Sequence, residues 1–553
     1  MTEKHYSLGA EGPKARTGAR RIVPPLILIL LGLCLYLPGL EWGLPNTDSW
    51  SQDTIAGMRT LGVIASWPED WRGRYEPLHY FINYAAYLPT LSKWDRTGER
   101  FTEPSSGQKV FKPPYPQKIG LLIKRSRWIS VVMACAAGIG LWAAARTITN
   151  DGWASAIAAG TLMTGASFTY FAHLGNVDVP AMCWFTWAVF FYARVIKHRK
   201  TTDCVLLGLF AALSASTKLG VVGVLPGMAI VLLLNEVQVE RKRESIGPAL
   251  GRAILRWKWL LGIAAFAVPF LLVNGMFQNY EAFATKLRYW LDPSLNTTHA
   301  QQYRYSNQFL LAWAAIRYAA SAVGWPMVVA MAGAIVYTVR KYHSVALVLL
   351  LPALSYYIVV IATIHFVYAR FLFPILALLG ILVGLSCVDL WRSRRLPVTL
   401  RYLIPFVVGL PTIGYAIAVD AEMLTDSRYE AEAWFEEHVD RPSSVGVFSK
   451  PQYLPRVNHM GYSVHALQMT RETFAGPLPE YLILSSYNYE DFDEDAQAVM
   501  GDLISEGLNY RIVATFRRRF LGTNGSWLSL AGWGVERVGK ISPTVIVLQR
   551  KAE

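Results

Sequence analysis

The chain has 553 residues, of which 53% are apolar and 17% charged, and it carries a formal net charge of +14 at neutral pH. Its apolar residues gather in blocks of about twenty, the length that crosses roughly 30 Å of hydrocarbon, which excludes an ordinary soluble enzyme. Most of the basic residues stand in short loops between those blocks. The charge therefore reads as a topology signal, and no nucleic-acid partner is expected.

The N-terminus is polar and basic, ends in Arg20-Arg21, and leads into an apolar run without a small-residue cleavage pattern. That predicts an uncleaved first helix rather than a signal peptide. About eleven spans are expected, at 23–42, 128–148, 153–172, 179–196, 203–216, 219–235, 257–277, 313–338, 344–363, 368–390 and 402–419. The fifth is short and the sixth follows it almost at once. With the N-terminus in the cytoplasm, the inner loops hold Lys197/Arg199/Lys200, then Arg241/Lys242/Arg243 with Arg252 and Arg256, then Arg340/Lys341, then Arg392/Arg394/Arg395, as the positive-inside rule requires. The expectation is an α-helical, multi-pass plasma-membrane protein with a cytoplasmic tail at 1–22, a transmembrane module at 23–419 and an extracytoplasmic C-terminal domain at 420–553.

The first outer loop, 43–127, is long enough to escape the charge rule. Ile55, Met58, Leu61 and Ile64 recur at helical spacing after Asp53, as in a helix lying in the membrane interface, and a second such stretch runs from Pro77 to Leu91. Thr102 to Gln117 reads as a loop. Beyond Val419 acidic residues become common and apolar runs shorten to strand length. Helices at 427–439 and 494–506 alternating with strands at 444–448, 481–485, 511–516 and 544–548 predict a small α/β domain. No internal repeat is visible at solenoid periods.

The five cysteines lie in or beside apolar segments without CxxC spacing, and no His/Asp cluster has ligand spacing, so neither disulfides nor a metal or other cofactor is expected.

The candidate chemistry lies on the outer side. Asn46 to Asp53 places two carboxylates, Asp48 and Asp53, directly after the first span. Either suits a general base that takes the proton from an acceptor hydroxyl, although taken alone either more often serves as a helix cap. His173-Leu174-Gly175-Asn176-Val177-Asp178-Val179-Pro180 forms a second acidic turn, again a cap or a site; charged groups near the membrane are costly and tend to be functional. Lys218, in Ser216-Thr217-Lys218, and Arg370, in Tyr368-Ala369-Arg370-Phe371, are cations at outer helix ends. They fit an anionic phosphate or a snorkelling role. Arg72, Arg74, Glu76 and His79 make a further polar cluster, with His79 a candidate to orient a substrate. The segment 278–308 is rich in Tyr, Asn and Gln, which stack on and bond to sugars. Asn296-Thr297-Thr298 and Asn524-Gly525-Ser526 match glycosylation sequons.

In this order and on one membrane side, these motifs resemble the GT-C superfamily of membrane glycosyltransferases, in its branch of dolichyl-phosphate-mannose protein mannosyltransferases and aminoarabinose transferases. Ser49-Trp50-Ser51-Gln52-Asp53-Thr54 is similar to that branch's Asp-Glu pair, with Thr54 in place of the Glu. Tyr75-Glu76-Pro77-Leu78-His79 resembles its Pro-Pro-Leu stretch, with Glu76 at the first Pro. Gly175-Asn176-Val177-Asp178-Val179-Pro180 resembles its acidic turn, Ser216-Thr217-Lys218 its Lys-containing turn, and Tyr368-Ala369-Arg370-Phe371-Leu372-Phe373-Pro374 its Arg-Tyr-x-x-Pro stretch. The resemblance implies inverting transfer of mannose or a similar sugar from a polyprenyl-phosphate donor to a protein, lipid or glycan acceptor. Asp53 would be the base, Asp178 would support the acceptor or the site's geometry, and Lys218 and Arg370 would hold the donor phosphate. Arg74, Glu76, His79, His173 and Asn176 are the accompanying substrate-binding candidates. The competing class is a transporter or lipid flippase, which commonly shows internal repeats and polar residues at mid-membrane depth.

Overall fold

The computed structural model describes residues 19–51, 53–68, 75–103, 109–241, 246–254, 256–291, 304–394, 396–486, 492–517 and 541–551. In chain order come α1 (Ala19–Tyr36), α2 (Met58–Ser66), α3 (Leu78–Arg96), a hairpin of β1 (Arg100–Thr102) and β2 (Lys109–Phe111), then α4 (Tyr115–Thr149), α5 (Gly152–Met163), α6 (Ala166–Ala172), α7 (Asp178–His198) and α8 (Thr201–Ala215). There follow α9 (Leu219–Glu240), which opens with a 3-10 turn, α10 (Ile246–Ile254), α11 (Trp257–Val273), α12 (Tyr280–Leu291), α13 (Gln308–Val323), α14 (Trp325–Lys341), α15 (His343–Ile364), α16 (Ala369–Arg392) and α17 (Val398–Leu424). The C-terminal part adds α18 (Ser427–His438), β3 (Ser444–Val447), β4 (Ser463–Ala466), β5 (Tyr481–Ser485), α19 (Glu494–Ile504), β6 (Tyr510–Phe516) and β7 (Val545–Arg550).

Among the described residues, seven helical runs are long and apolar enough to cross a membrane: α4, α7, α9, Leu250–Val273, α15, α16 and Val398–His438. The protein is a multi-pass, mostly helical membrane protein. The expected eleven apolar blocks are all helical, but they divide differently. The block expected at 313–338 breaks at Gly324 (φ +84°) into α13 and α14, which meet at 117° and make an eighth span only if counted together. A left-handed residue followed by Trp325-Pro326 ends one helix and starts the next. The block at 153–172 breaks at Thr164-Gly165, because Gly165 is extended. The run Val23–Tyr36 and α8 are apolar but shorter.

Two expectations for the first outer loop are corrected. The helix predicted from Asp53 starts only at Met58, and the stretch before it is held extended by Ile55 N–H donating to the Gly175 carbonyl at 2.8 Å. The loop expected at 102–117 contains β2 and the first turn of α4, which begins 13 residues before the expected 128 because polar Lys118, Arg125 and Arg127 continue the same helix. Lys118 pairs with Glu99, and Arg127 donates to the carbonyls of Leu40 (2.7 Å) and Trp42 (2.8 Å).

Small residues let the spans approach closely. A Cβ on Gly384 of α16 would lie 2.1 Å from the Ala154 carbonyl oxygen of α5, and one on Gly208 of α8 would lie 2.1 Å from the Gly262 carbonyl of α11. Backbone cannot yield as a flexible side chain can. Gly384→Ala is therefore expected to destabilise the protein by about 1–3 kcal/mol, the usual cost of overpacking, read as a lower melting temperature in detergent. An unchanged melt would refute the close packing of α5 on α16.

The C-terminal elements form a five-stranded mixed sheet in the order β4-β3-β5-β7-β6. The pairs β3/β4 and β3/β5 are parallel, and β5/β7 and β6/β7 antiparallel. Strand β4 was not visible in the sequence because its Ser463 and His465 are polar and its edge is exposed. All five residues of β5 are buried. Tyr481 and Ile483 pack with Phe435 of α18 on one face, and Leu482 and Leu484 pack with Val499 and Leu503 of α19 on the other.

Candidate functional site

The site forms where the first outer stretch meets the turns at the ends of α7, α9 and α16. Thr54 Oγ1 donates to the same Gly175 carbonyl at 3.3 Å as the Ile55 amide does, and Ser130 Oγ of α4 donates to the Leu174 carbonyl at 2.5 Å. Gly175 is required at that crossing, since a Cβ there would sit 2.8 Å from the Cβ atoms of both Ala56 and Ser126. The two acidic turns, separate in sequence, are thereby pinned side by side.

Arg370 joins them. Its Nη1 donates to Asp53 Oδ2 at 2.8 Å, and its Nε lies 3.8 Å from Asp178 Oδ2. The guanidinium also rests over Tyr368 (4.9 Å) and Phe171 (5.5 Å). Lys218 Nζ pairs with Asp178 Oδ1 and lies 4.7 Å from the Phe371 ring centre. Asn176 Nδ2 donates to Asp178 Oδ2 at 2.8 Å. Asp53, Asp178, Lys218, Arg370 and Asn176 are thus one cluster. Asp178 is 2% exposed, Arg370 13%, Lys218 16% and Asp53 22%, so the site opens on the Asp53 side.

Neither carboxylate is a helix cap. The residue before α2 is Gly57, and the N-cap of α7 is Val177 with no side-chain bond, while Asp178 spends both oxygens on Lys218 and Asn176. Nor do the two cations snorkel, since both are turned inward onto carboxylates.

Asp48 lies apart. It is exposed and accepts from Thr47 Oγ1 at 3.4 Å; its charge also reaches His459 of the C-terminal domain, whose basicity is lowered chiefly by burial and by Arg456 and raised by Asp48. His173 is fully buried beside Tyr36; its Nδ1 donates to the Thr169 carbonyl at 2.7 Å, and its Nε2 stands 3.4 Å from Asp420 Oδ1. Arg72, Arg74 and the sequon asparagines Asn296 and Asn524 lie outside the described residues.

Glu76 is buried on the opposite side of the Lys218 turn. Its Oε2 accepts from the Leu219 amide at 3.0 Å, and Leu78 N–H donates to the Ser216 carbonyl at 3.0 Å, so the start of α3 is stitched to the turn that carries Lys218. Burial raises the pKa of Glu76, with Lys286 opposing. Lys286 of α12 was not singled out in the sequence. Its Nζ donates to the Tyr75 carbonyl at 2.9 Å, and burial pushes its pKa down to about 8 against the pull of Glu76. The only signal for it was a cation inside the Tyr- and Asn-rich outer segment. Glu76, Asn274, Phe283 and Lys286 line a small cavity there. A larger hollow lies on the surface of α14, between Val329 and Lys341, and runs to the opposite, basic end of that helix.

His79 is buried, and burial pushes its pKa down to about 3, so the ring is neutral. Replacing Glu76 by Ala removes the acceptor of the partly buried Leu219 amide, which costs about 1 kcal/mol, the lower end for an unmet donor. Glu76→Ala is therefore expected to melt earlier than wild type, with Glu76→Gln retaining most of the stability. Equal melts for all three would show that the tie to Leu219 is idle.

Among the described residues, no three His, Cys, Asp or Glu side chains gather to hold a metal ion, and all five cysteines are free. Chemically, the cluster offers one partly exposed carboxylate, a second one buried, a guanidinium bonded to the first and 3.8 Å from the second, and an ammonium paired with the second.

The fold is similar to that of the archaeal oligosaccharyltransferase AglB from Archaeoglobus fulgidus, solved with an inhibitory peptide and a dolichol-phosphate. Identity is 11%, with 97% of this chain and 89% of that chain covered and a TM-score of 0.47. ArnT from Cupriavidus metallidurans, bound to undecaprenyl phosphate, is similar at 13% identity, covering 96% of this chain and 98% of that one, with a TM-score of 0.46. The mycobacterial arabinofuranosyltransferase AftD is 14% identical, with 98% of this chain and 40% of that chain covered and a TM-score of 0.35. No curated protein matches the sequence. Residues 119–255, less than half of the chain, match the model of the dolichyl-phosphate-mannose-protein mannosyltransferase family, the branch that the acidic turns and outer cations resemble.

Proposed function

We propose that this protein transfers a sugar, mannose or one like it, from a polyprenyl-phosphate donor to an acceptor protein, lipid or glycan on the extracytoplasmic side of the membrane. The family match over residues 119–255 supports glycosyl transfer. The observation that carries the reading is Arg370 bridging Asp53 and Asp178, with Lys218 on the second carboxylate.

In this reading Lys218 and Arg370 hold the donor phosphate, and Asp53, at the open edge, removes the proton of the acceptor hydroxyl as it attacks the anomeric carbon. The phosphate leaves with the bonding electrons, so the configuration at that carbon inverts. Arg370 is engaged by Asp53. An incoming phosphate competes for the guanidinium and frees a lone pair of Asp53 for the acceptor, so donor binding itself readies the base. Asn176 keeps Asp178 oriented, and Asp178 keeps the two cations together.

Sidedness rests on the helix directions. The helix α7 starts at Asp178 and ends with Lys197 and His198, and α16 starts beside Arg370 and ends at Arg392. The site and the basic ends are about 30 Å apart, one α7 length, and by the positive-inside rule this supports a site on the outer face. Residues 1–22 are then cytoplasmic, residues 23–419 carry the chemistry and residues 420–553 are extracytoplasmic.

The test is transfer by the purified protein from a panel of radiolabelled polyprenyl-phosphate sugars. Turnover with one donor supports the reading. No turnover with any donor, together with passage of a lipid or solute across reconstituted vesicles, would replace it with a transporter.

A further inference from the structure

The segment that delivers Asp53 is gripped from the C-terminal domain. Trp50, three residues before Asp53, is wholly buried. The Arg428 guanidinium of α18 lies 4.0 Å from its ring centre, Tyr429 packs on it at 4.9 Å, and Arg456 lies 5.4 Å away. Arg428 is itself fully buried and held by a two-pronged bond to Asp426, at 2.9 and 2.7 Å, and by the Gln452 carbonyl at 2.7 Å.

Four further bonds run from the same domain to the backbone and side chains before Trp50. Asp426 Oδ2 accepts from Trp42 Nε1 at 3.0 Å, Gly43 N–H donates to Tyr429 Oη at 2.8 Å, Arg456 Nη1 donates to the Leu44 carbonyl at 2.6 Å, and His459 Nε2 bonds to Asn46 Oδ1 at 3.0 Å. From the membrane side, Arg127 Nη2 donates to Ser49 Oγ at 3.4 Å and Tyr170 Oη donates to Ser51 Oγ at 3.2 Å; Ser51 Oγ in turn accepts from the Asp53 amide at 3.4 Å. The loop is clamped between two bodies, with the Trp50 ring as the pin.

We propose that Arg428 and Trp50 are positioning residues for Asp53, so that the C-terminal domain is part of the transfer machinery rather than an appended binding module. This rests on the reading of Asp53 as the base. Desolvated stacking of a guanidinium on tryptophan is stronger than on an aliphatic side chain of similar bulk, because the ring face is negative. Losing it frees the loop without touching the phosphate-binding cations.

The test uses the full-length protein. Trp50→Leu is expected to lower kcat about tenfold to a hundredfold while the donor KM moves by less than about threefold, and Trp50→Phe is expected to stay within about threefold of wild type in both. Hydrogen exchange over residues 43–51 should quicken in Trp50→Leu and leave α7 and α16 unchanged. Arg428→Lys keeps the charge and loses the planar stack and the two-pronged bond, and serves as the second variant should Trp50→Leu not fold. Wild-type kcat with unchanged loop exchange in the folded variants overturns the proposal, as does a rise in KM at constant kcat. If the wild-type protein transfers no sugar from any donor, it is the reading of the site that fails, and the loop exchange still decides whether the clamp exists.

Discussion

Asp53→Asn is expected to reduce sugar transfer by about 10²- to 10⁴-fold, the usual contribution of a positioned general base, with donor binding retained. The substitution keeps the size and the hydrogen-bonding reach of the side chain but removes its basicity. Donor binding is retained because a neutral asparagine competes less for Arg370, whose guanidinium stands 2.8 Å from Asp53. The donor dissociation constant should therefore stay equal or tighten. Asp48→Asn is expected to transfer at close to the wild-type rate, since that side chain is exposed and, among the described residues, bonds only its neighbour Thr47. Rates measured with the preferred donor decide it: a fully active Asp53→Asn removes the base assignment, and an inactive Asp48→Asn moves it.

Arg370→Met should be the most damaging single change at the site. It leaves Asp53 and Asp178 facing each other with Lys218 alone to balance them, and Asp178 is 2% exposed. Breaking a buried pair by removing one partner costs about 3–5 kcal/mol; with Asp53 22% exposed, the lower end applies. The protein should melt earlier and bind donor weakly. The double variant Arg370→Met with Asp53→Asn should regain much of the melting temperature, because one uncompensated charge is gone, yet regain no transfer. Arg370→Lys should rescue stability more than turnover, since one ammonium cannot reach both carboxylates and a phosphate as a planar fork can. A double variant no more stable than Arg370→Met would show that the charge balance is not what Arg370 supplies.

Both results concern groups that were named from the sequence, and the reason they were nameable is local. A charged residue at the end of an apolar block is conspicuous wherever the chain folds, so Asp53, Asp178, Lys218 and Arg370 stood out, and Asn176 beside Asp178 came with its turn. Lys286 did not stand out, because a lysine in a polar outer segment is unremarkable until burial against Glu76 and Tyr75 singles it out. Trp50 and Arg428 were equally silent. One is an aromatic residue in an aromatic-rich loop and the other a charged residue on an amphipathic helix, and they lie in different domains.

By itself the sequence determined that this is a multi-pass helical membrane protein with a small sheet domain after the last span, because hydrocarbon thickness and strand periodicity act over a few turns of local chain. It also determined the acidic and basic turns. It did not determine where α13 gives way to α14, how early α4 begins, or that β4 exists, since a left-handed glycine, a helix continued through paired charges and a polar edge strand leave no hydropathy signal. Only the tertiary structure set Asp48 and Asp53 apart, by putting Arg370, 317 residues further on, against the second and leaving the first exposed. Contacts over such separations are set by which helices pack together and at what angle, and that is a property of the whole assembled chain.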